Sequence, residues 1–186
     1  EILTENKLDH EIYDESKDNN FYLSFDLVLV IGGDGSMLSA AKLFSELDIP
    51  FLGVNLGKVG FMADLGANNL KDDLVPILSG KNLIEDKETI KCSYDGREYT
   101  AFNEIVLHTQ KSYKLMEFEV EIDKNFVYRK RADGLIISTS NGSTAYSLSA
   151  GGPILTPETD AFVITALNPL SLSARPLIVP SKSMVS

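Results

Sequence analysis

Asp26-Leu27-Val28-Leu29-Val30-Ile31-Gly32-Gly33-Asp34-Gly35-Ser36 is an apolar run that ends at two glycines, an acid and a third glycine. Val28 to Ile31 are mostly β-branched and show no polar alternation, the pattern of a parallel strand covered on both faces. Beyond Ser36, the apolar residues Met37, Leu38, Ala41, Phe44 and Leu47 recur at helical spacing. The chain therefore passes from strand through glycine turn into amphipathic helix. In such a unit the glycines let backbone N–H groups approach an anion, and the helix adds the positive end of its dipole. Asp34 does not fit a bare phosphate cradle. A carboxylate there repels phosphate unless a cation separates them, or unless the acid addresses a hydroxyl that attacks the phosphorus. The same four residues also make an ordinary tight turn with Asp as a turn residue, so the rest of the chain must decide.

Downstream, Asp48-Ile49-Pro50 breaks the helix and Phe51 to Val54 form a second short buried strand. That completes a βαβ unit, whose crossover is expected to be right-handed. Residues 55–61 leave the carboxyl end of this strand, the edge where open α/β sheets bind ligands. Lys58, set between glycines, is a candidate phosphate contact or else a solvated loop lysine. Leu70, Leu74, Ile77 and Leu78 mark a second helix that stops at Gly80. Residues 1–24 are polar and acidic, with a weak helical pattern and no assigned function.

From Lys81 onward the pattern changes to strands alone. Asp95-Gly96 between Lys91–Tyr94 and Arg97–Thr100 is a type I′ hairpin signal. Lys114 to Ile122 alternates, with Met116, Phe118, Val120 and Ile122 on one face and glutamates on the other. Phe126–Arg131 returns after a turn at Asp123-Lys124-Asn125, and Leu135–Ser138 follows. The expected architecture is an α/β N-terminal domain over 1–82, with a parallel sheet and the glycine-rich loop, followed by a β-rich domain over 83–186. A ligand cleft is expected between them.

Composition narrows the function. Seventeen basic against twenty-seven acidic residues give a net charge of −10, which repels nucleic acid and anionic membranes. A phosphorylated ligand would then need local amides, a few cations and a divalent metal. The single cysteine, Cys92, cannot form an internal disulfide and reads as a small buried hydrophobe in a reducing compartment. No apolar run approaches the roughly 18 residues of a spanning helix, and no signal pattern opens the chain, so a cytoplasmic protein is expected. The two histidines lack partners at zinc spacing, and neither a Gly-x-Ser-x-Gly elbow nor a Walker A lysine is present.

Three further constellations carry chemistry. Asn103-Glu104 interrupts the apolar run Phe102 and Ile105 to Leu107, and an amide beside a carboxylate suits ribose hydroxyls or a base edge. Asp133 closes the basic run Arg129-Lys130-Arg131 ahead of apolar Leu135 to Ile137. Residues 138–153 are small and hydroxyl-rich, with Ser143 or Thr144 expected to cap a short helix closed by Gly151 and Pro153, and with Tyr146 available to stack on a flat ring.

Gly32 to Ser36, Asn103-Glu104, Ala132 to Leu135, Gly142 to Ser147, Ser149 to Pro153 and Leu172 to Pro176, in that order, resemble the NAD kinases, the last motif their bacterial members. The first motif alone is not specific, since lipid kinases of the diacylglycerol and sphingosine type and the phosphofructokinases resemble it too; the stretch Asp133 to Pro153 is the specific one. The resemblance implies transfer of a phosphoryl group from ATP, or polyphosphate, to the 2′-hydroxyl of the adenosine ribose of NAD, with a divalent metal such as magnesium. It implies Asp34 as proton acceptor, with Gly33 and Gly35 in its loop. It implies dinucleotide contacts from Asn103, Glu104, Asp133, Thr144, Ala145, Tyr146, Ser147, Leu148 and Ser149, with Lys114 and Arg131 as further contacts. No residue of the chain is assigned as a metal ligand. A homodimer or homotetramer is implied, Asp133 serving the site of a neighbouring subunit. The sequence departs from the family at Ser140-Asn141, where proline usually follows the threonine, which predicts a more mobile loop. The resemblance also implies that these residues belong to a longer chain. Two alternatives stand beside it: a lipid kinase, which would need an apolar slot, and a non-catalytic NAD sensor, which would not need Asp34.

Overall fold

The computed structural model describes residues 1–186 except 18, 45–46, 58–61, 64 and 111–113. The chain divides into two compact units, Glu1–Glu85 and Asp86–Ser186.

The first unit contains α1 (Ile2–Glu5), α2 (Asn19–Tyr22), β1 (Val28–Ile31), α3 (Asp34–Leu43), β2 (Phe51–Asn55), β3 (Leu65–Gly66), a 3-10 turn (Ala67–Asn69) and α4 (Leu70–Leu78). Its sheet is parallel, in the order β1-β2-β3, with Val28 opposite Phe51 and Val54 opposite Leu65. The central strand is β2, and this is the buried one; β1 stands at the edge, with only Val30 buried and Ile31 62% exposed. An edge position leaves one flank uncovered, so the expectation of a strand buried on both faces fails for β1 and holds for β2. The third strand is two residues long, too short for a periodic signal.

Helix α4 packs Leu74, with Leu70, Ile77 and Leu78, onto Leu52, Val54 and Leu65, and α1 adds Ile2 and Leu3. It ends as expected at Gly80, whose φ of +88° suits a residue without a β-carbon. Residues 1–24 have a structural role that their sequence did not announce. Tyr13, Tyr22 and Phe44 pack ring against ring, Phe44 also touches Phe51, and the Tyr22 hydroxyl bonds both the N–H and the carbonyl of Asp14 at 2.9 Å. Helix α3 starts at Asp34 itself and stops at Leu43, short of Leu47.

The second unit contains β4 (Ile90–Tyr94), β5 (Arg97–Ala101), β6 (Glu104–His108), β7 (Met116–Ile122), β8 (Asn125–Ala132), β9 (Gly134–Ser138), a second 3-10 turn (Asn141–Thr144), α5 (Tyr146–Ser149), β10 (Ala161–Leu167) and β11 (Leu177–Pro180). Antiparallel pairing gives a four-stranded sheet, β11-β10-β9-β6, and the hairpins β4-β5 and β7-β8. Both central residues of the first hairpin, Asp95 and Gly96, have positive φ, which is the type I′ geometry. The second turns on Asp123 and Lys124, also positive in φ, so Asn125 already belongs to β8.

Alternation sets the core. Val120, flanked by Phe118 and Ile122, packs with Ile90, Leu135, Phe162, Ile164 and Val179, while Glu117 and Glu119 face water. Arg129 pairs there with Glu119. Cys92 is half-buried rather than buried, because its strand lies in a two-stranded hairpin with one side open.

Leu74 is 1% exposed at the centre of the first core. Leu74→Ala is expected to lower the stability of that unit by about 2–5 kcal/mol, through lost burial and the cavity left behind. Urea titration followed by far-UV dichroism checks it. A loss under about 1 kcal/mol would mean that α4 closes over the gap.

Candidate active site

The glycine turn is built by two different demands. Gly32 donates its N–H to Val54 O at 2.9 Å, and a β-carbon on it would lie 2.3 Å from Ser36 Oγ. Gly32 is therefore glycine for packing. Gly33 and Gly35 are the opposite case: a β-carbon on either would meet nothing within 4 Å. At those two positions bare backbone faces open space at the head of a ten-residue helix, which suits an anionic group. Between them, Asp34 occupies the first turn with Gly33 as N-cap, and its Oδ1 accepts the Met62 N–H at 3.0 Å. That bond fixes the carboxylate's orientation. Lys58, the candidate phosphate contact, lies outside the described residues.

In the second unit the hydroxyl-rich stretch wraps around Asn103. Thr139 donates its N–H to Asn103 O at 2.9 Å, and its Oγ1 reaches Phe102 O at 2.8 Å while accepting the Gly142 N–H at 3.0 Å. Gly142 passes so close that a β-carbon would sit 2.0 Å from Asn103 O. Ser140 Oγ bonds Pro157 O at 3.1 Å, and Ser143 Oγ accepts the Leu155 N–H at 3.0 Å. The absent proline is thus replaced by side-chain ties, so the greater mobility expected of Ser140-Asn141 finds no support in these bonds. Neither Ser143 nor Thr144 caps α5. Ser143 is spent on Leu155, Thr144 Oγ1 on Asn141 O, and Ala145 occupies the cap position without a side-chain bond.

Glu104 opens β6 directly opposite Ser138 of β9. Burial pushes its carboxyl above the ordinary carboxylate range, and the Tyr146 N–H at the start of α5 partly offsets that rise. Three polar atoms here are buried without a partner: Glu104 Oε2, Ser138 Oγ and Asn141 Nδ2. A buried acceptor and two potential donors left unpaired in one corner form a polar seat, since such groups otherwise carry a desolvation cost. Tyr146 is exposed beside it, ready to stack. Ser147 points the other way: it is fully buried, 3.4 Å from Thr165 Oγ1, and anchors α5 to the sheet. Ala145 is half-buried, while Leu148 and Ser149 are exposed.

Asp133 and Arg131 lie at the other end of β9. Gly134 pairs with His108 while Ser138 pairs with Glu104, so about 13 Å of strand separates the two groups, at 3.3 Å per residue. Arg129, Lys130 and Arg131 line a surface cavity of about 360 Å³ with Leu170, Ser171, Ser173 and Ala174. Lys130 lies 4.0 Å from the centre of the Tyr128 ring, and desolvation lowers its pKa. Lys114 is exposed ahead of β7, and no hydrogen bond among the described residues joins it to either group.

Ser138, Thr139 and Gly142 belong to the hydroxyl-rich stretch read from the sequence but were given no individual role there, because the role of each depends on which backbone it meets. Among the described residues no three His, Cys, Asp or Glu side chains converge as a metal cage, and no helix is long and apolar enough to cross a membrane.

The first unit thus carries a glycine turn whose carboxylate is held by a backbone N–H, and the second unit carries a polar seat beside an aromatic ring. Residues 5–82 match the family described as ATP-NAD kinase N-terminal domain, and residues 102–186 match the ATP-NAD kinase C-terminal domain. The chain belongs to the NAD kinase family. It is 48% identical over 165 residues to the NAD kinase of Erwinia tasmaniensis, an alignment covering 86% of this chain and 56% of that protein. It superposes with TM-score 0.83 on an NAD kinase from Archaeoglobus fulgidus in complex with ATP, at 25% identity, covering 99% of this chain and 72% of the other. A yeast NADH kinase complexed with NADH also gives 0.83, at 33% identity, covering 91% and 49%. The chain spans 56% to 66% of the length of the first curated relatives it matches.

Because the folded pKa of Glu104 is raised, its charge costs stability once pH exceeds the unfolded value. That cost is absent below the ordinary carboxylate pKa and complete above the folded one. Glu104→Gln should therefore gain on the wild type as pH rises from about 4, and then run parallel to it. Urea midpoints between about pH 4 and about pH 7 report the difference. A gap that does not change with pH would show that burial does not perturb this carboxyl.

Proposed function

We propose that the protein is an NAD kinase that transfers the terminal phosphoryl group of ATP to the 2′-hydroxyl of the adenosine ribose of NAD, giving NADP and ADP. The observation that carries this reading is Asp34: a carboxylate anchored on Met62 N–H between two glycines whose side-chain directions are open. The glycine backbone admits the donor's phosphates, and the carboxylate receives the hydroxyl. The 2′-oxygen bonds to the terminal phosphorus as the bond to the bridging oxygen breaks; ADP leaves, and the hydroxyl proton passes to Asp34. A side-chain carboxylate is too weak a base to ionise a sugar hydroxyl beforehand. Asp34 therefore orients the hydroxyl and takes its proton late, while positioning supplies much of the rate.

Glu104 Oε2, Ser138 Oγ and Asn141 Nδ2 offer the unpaired polar atoms that a dinucleotide would satisfy, and Tyr146 offers a stacking face. Asn103, Thr144, Ala145 and Ser149 are assigned as further dinucleotide contacts on the family resemblance. A divalent metal, implied by the family resemblance, is assigned to the donor's phosphates as part of the substrate, and no step is routed through it. Polyphosphate would use the same glycine backbone. The ATP complex of the archaeal relative and the NADH complex of the yeast relative support these ligand classes for the present chain.

In the full-length protein, Asp34→Asn should bind NAD within a few-fold of wild type and lose at least about 100-fold in NADP formation, the scale of a lost acid–base group. Calorimetry and a coupled NADP assay separate the two. Unchanged turnover would leave the aspartate a structural role and favour a sensor over a kinase.

We further assign Asp133 to the site of a neighbouring subunit. Its separation from Glu104 by the length of β9 supports this, because one seat does not easily use both ends of a strand. Co-expression of Asp34→Asn and Asp133→Asn chains, each nearly inactive, should restore a sizeable fraction of activity that dilution to monomers abolishes. Mixed oligomers as inactive as either parent would put Asp133 to work within its own chain or nowhere.

A further inference from the structure

Strand β10 runs antiparallel to β9 and ends with Leu167 opposite Gly134, which brings residue 168 beside the corner at Asp133. Asn168 there has a φ of +43°, in the left-handed region that asparagine tolerates better than most side chains. From this turn Asn168 Nδ2 donates to Asp133 Oδ2 at 2.9 Å. We propose that Asn168 is a positioning residue for Asp133, holding the carboxylate in the orientation in which it meets the dinucleotide. The proposal rests on the reading of Asp133 as a dinucleotide contact.

The backbone at this corner is secured without the amide. Asp133 N–H donates to Leu167 O, Thr109 N–H donates to Asp133 O, and Leu170 N–H donates to Arg131 O, each at 2.9 Å. Main-chain bonds thus place the Cα of Asp133, and the side-chain bond sets where its carboxylate points. A half-buried aspartate next to water would otherwise distribute over several rotamers, and binding would have to pay for ordering it. Asn168 removes that cost in advance. Because the amide is a neutral donor, it leaves the carboxylate its charge, and it engages one oxygen, leaving Oδ1 to accept from a ligand hydroxyl or amide.

This arrangement separates the role of the side chain from that of the backbone. Glycine at 168 keeps the left-handed turn and removes only the amide, whereas aspartate keeps the shape and sets a like charge against Asp133. In the full-length protein, Asn168→Gly should raise the KM for NAD by roughly 3- to 10-fold, the scale of one lost hydrogen bond, with kcat within about 2-fold and thermal stability close to wild type. Asn168→Asp should raise KM further. Added to Asp133→Asn, the glycine change should have no additional effect, because the group it orients is already altered. Wild-type KM in Asn168→Gly, where Asp133→Asn raises KM, overturns the proposal while leaving the reading of Asp133 intact. An undiminished effect of Asn168→Gly in the Asp133→Asn background overturns it as well, since the residue then acts by another route. If Asp133→Asn itself leaves KM unchanged, the reading of Asp133 fails and this proposal fails with it.

Discussion

The approach of Gly142 to the carbonyl of Asn103 is the contact on which the polar corner of the second unit depends. With no room for even a β-carbon, the loop after β9 lies flat against the chain entering β6; Thr139 ties the two together by donating to Asn103 O and Phe102 O, and accepts the loop's own Gly142 N–H. That closeness puts the Tyr146 N–H on Glu104 and sets Ser138 across from it. The hydroxyls that look available in the sequence are largely spent on holding this loop. What remains for a ligand is a small set of buried atoms whose bonds are missing.

A comparable economy governs the glycine turn of the first unit. One glycine is demanded by its own helix, because Ser36 fills the space, and two leave their backbone uncovered. Asp34 sits in the first helical turn, where a carboxylate is favoured by the dipole, so the position is stable before any substrate arrives. In the role proposed for Asp34, a proton acceptor needs orientation more than basicity, and the Met62 N–H orients this carboxylate.

The net charge of −10 sharpens the problem of binding a polyanion. Within the basic run Arg129 to Arg131, Arg129 is already paired with Glu119. The backbone N–H groups of the glycine turn suit an anion without an ordering cost of their own, because their direction is fixed by the fold.

Local pattern alone was enough for the parallel βαβ start, the β-rich second half, the Asp95-Gly96 hairpin, the alternation of β7 and the helix stop at Gly80, because each is set by neighbours in sequence. The motif residues Asp34, Asn103, Glu104 and Asp133 were legible too, as polar groups at the ends of apolar runs. Their grouping was not. Whether β1 is buried depends on its place at the edge of the sheet, and whether Ser143 caps a helix depends on Leu155 arriving from twelve residues away. That Glu104 and Asp133 stand at opposite ends of one strand, and that Asn168 reaches the second of them, follows from strand register. Register is a property of the assembled sheet, since it is fixed only when distant strands bury their apolar faces together.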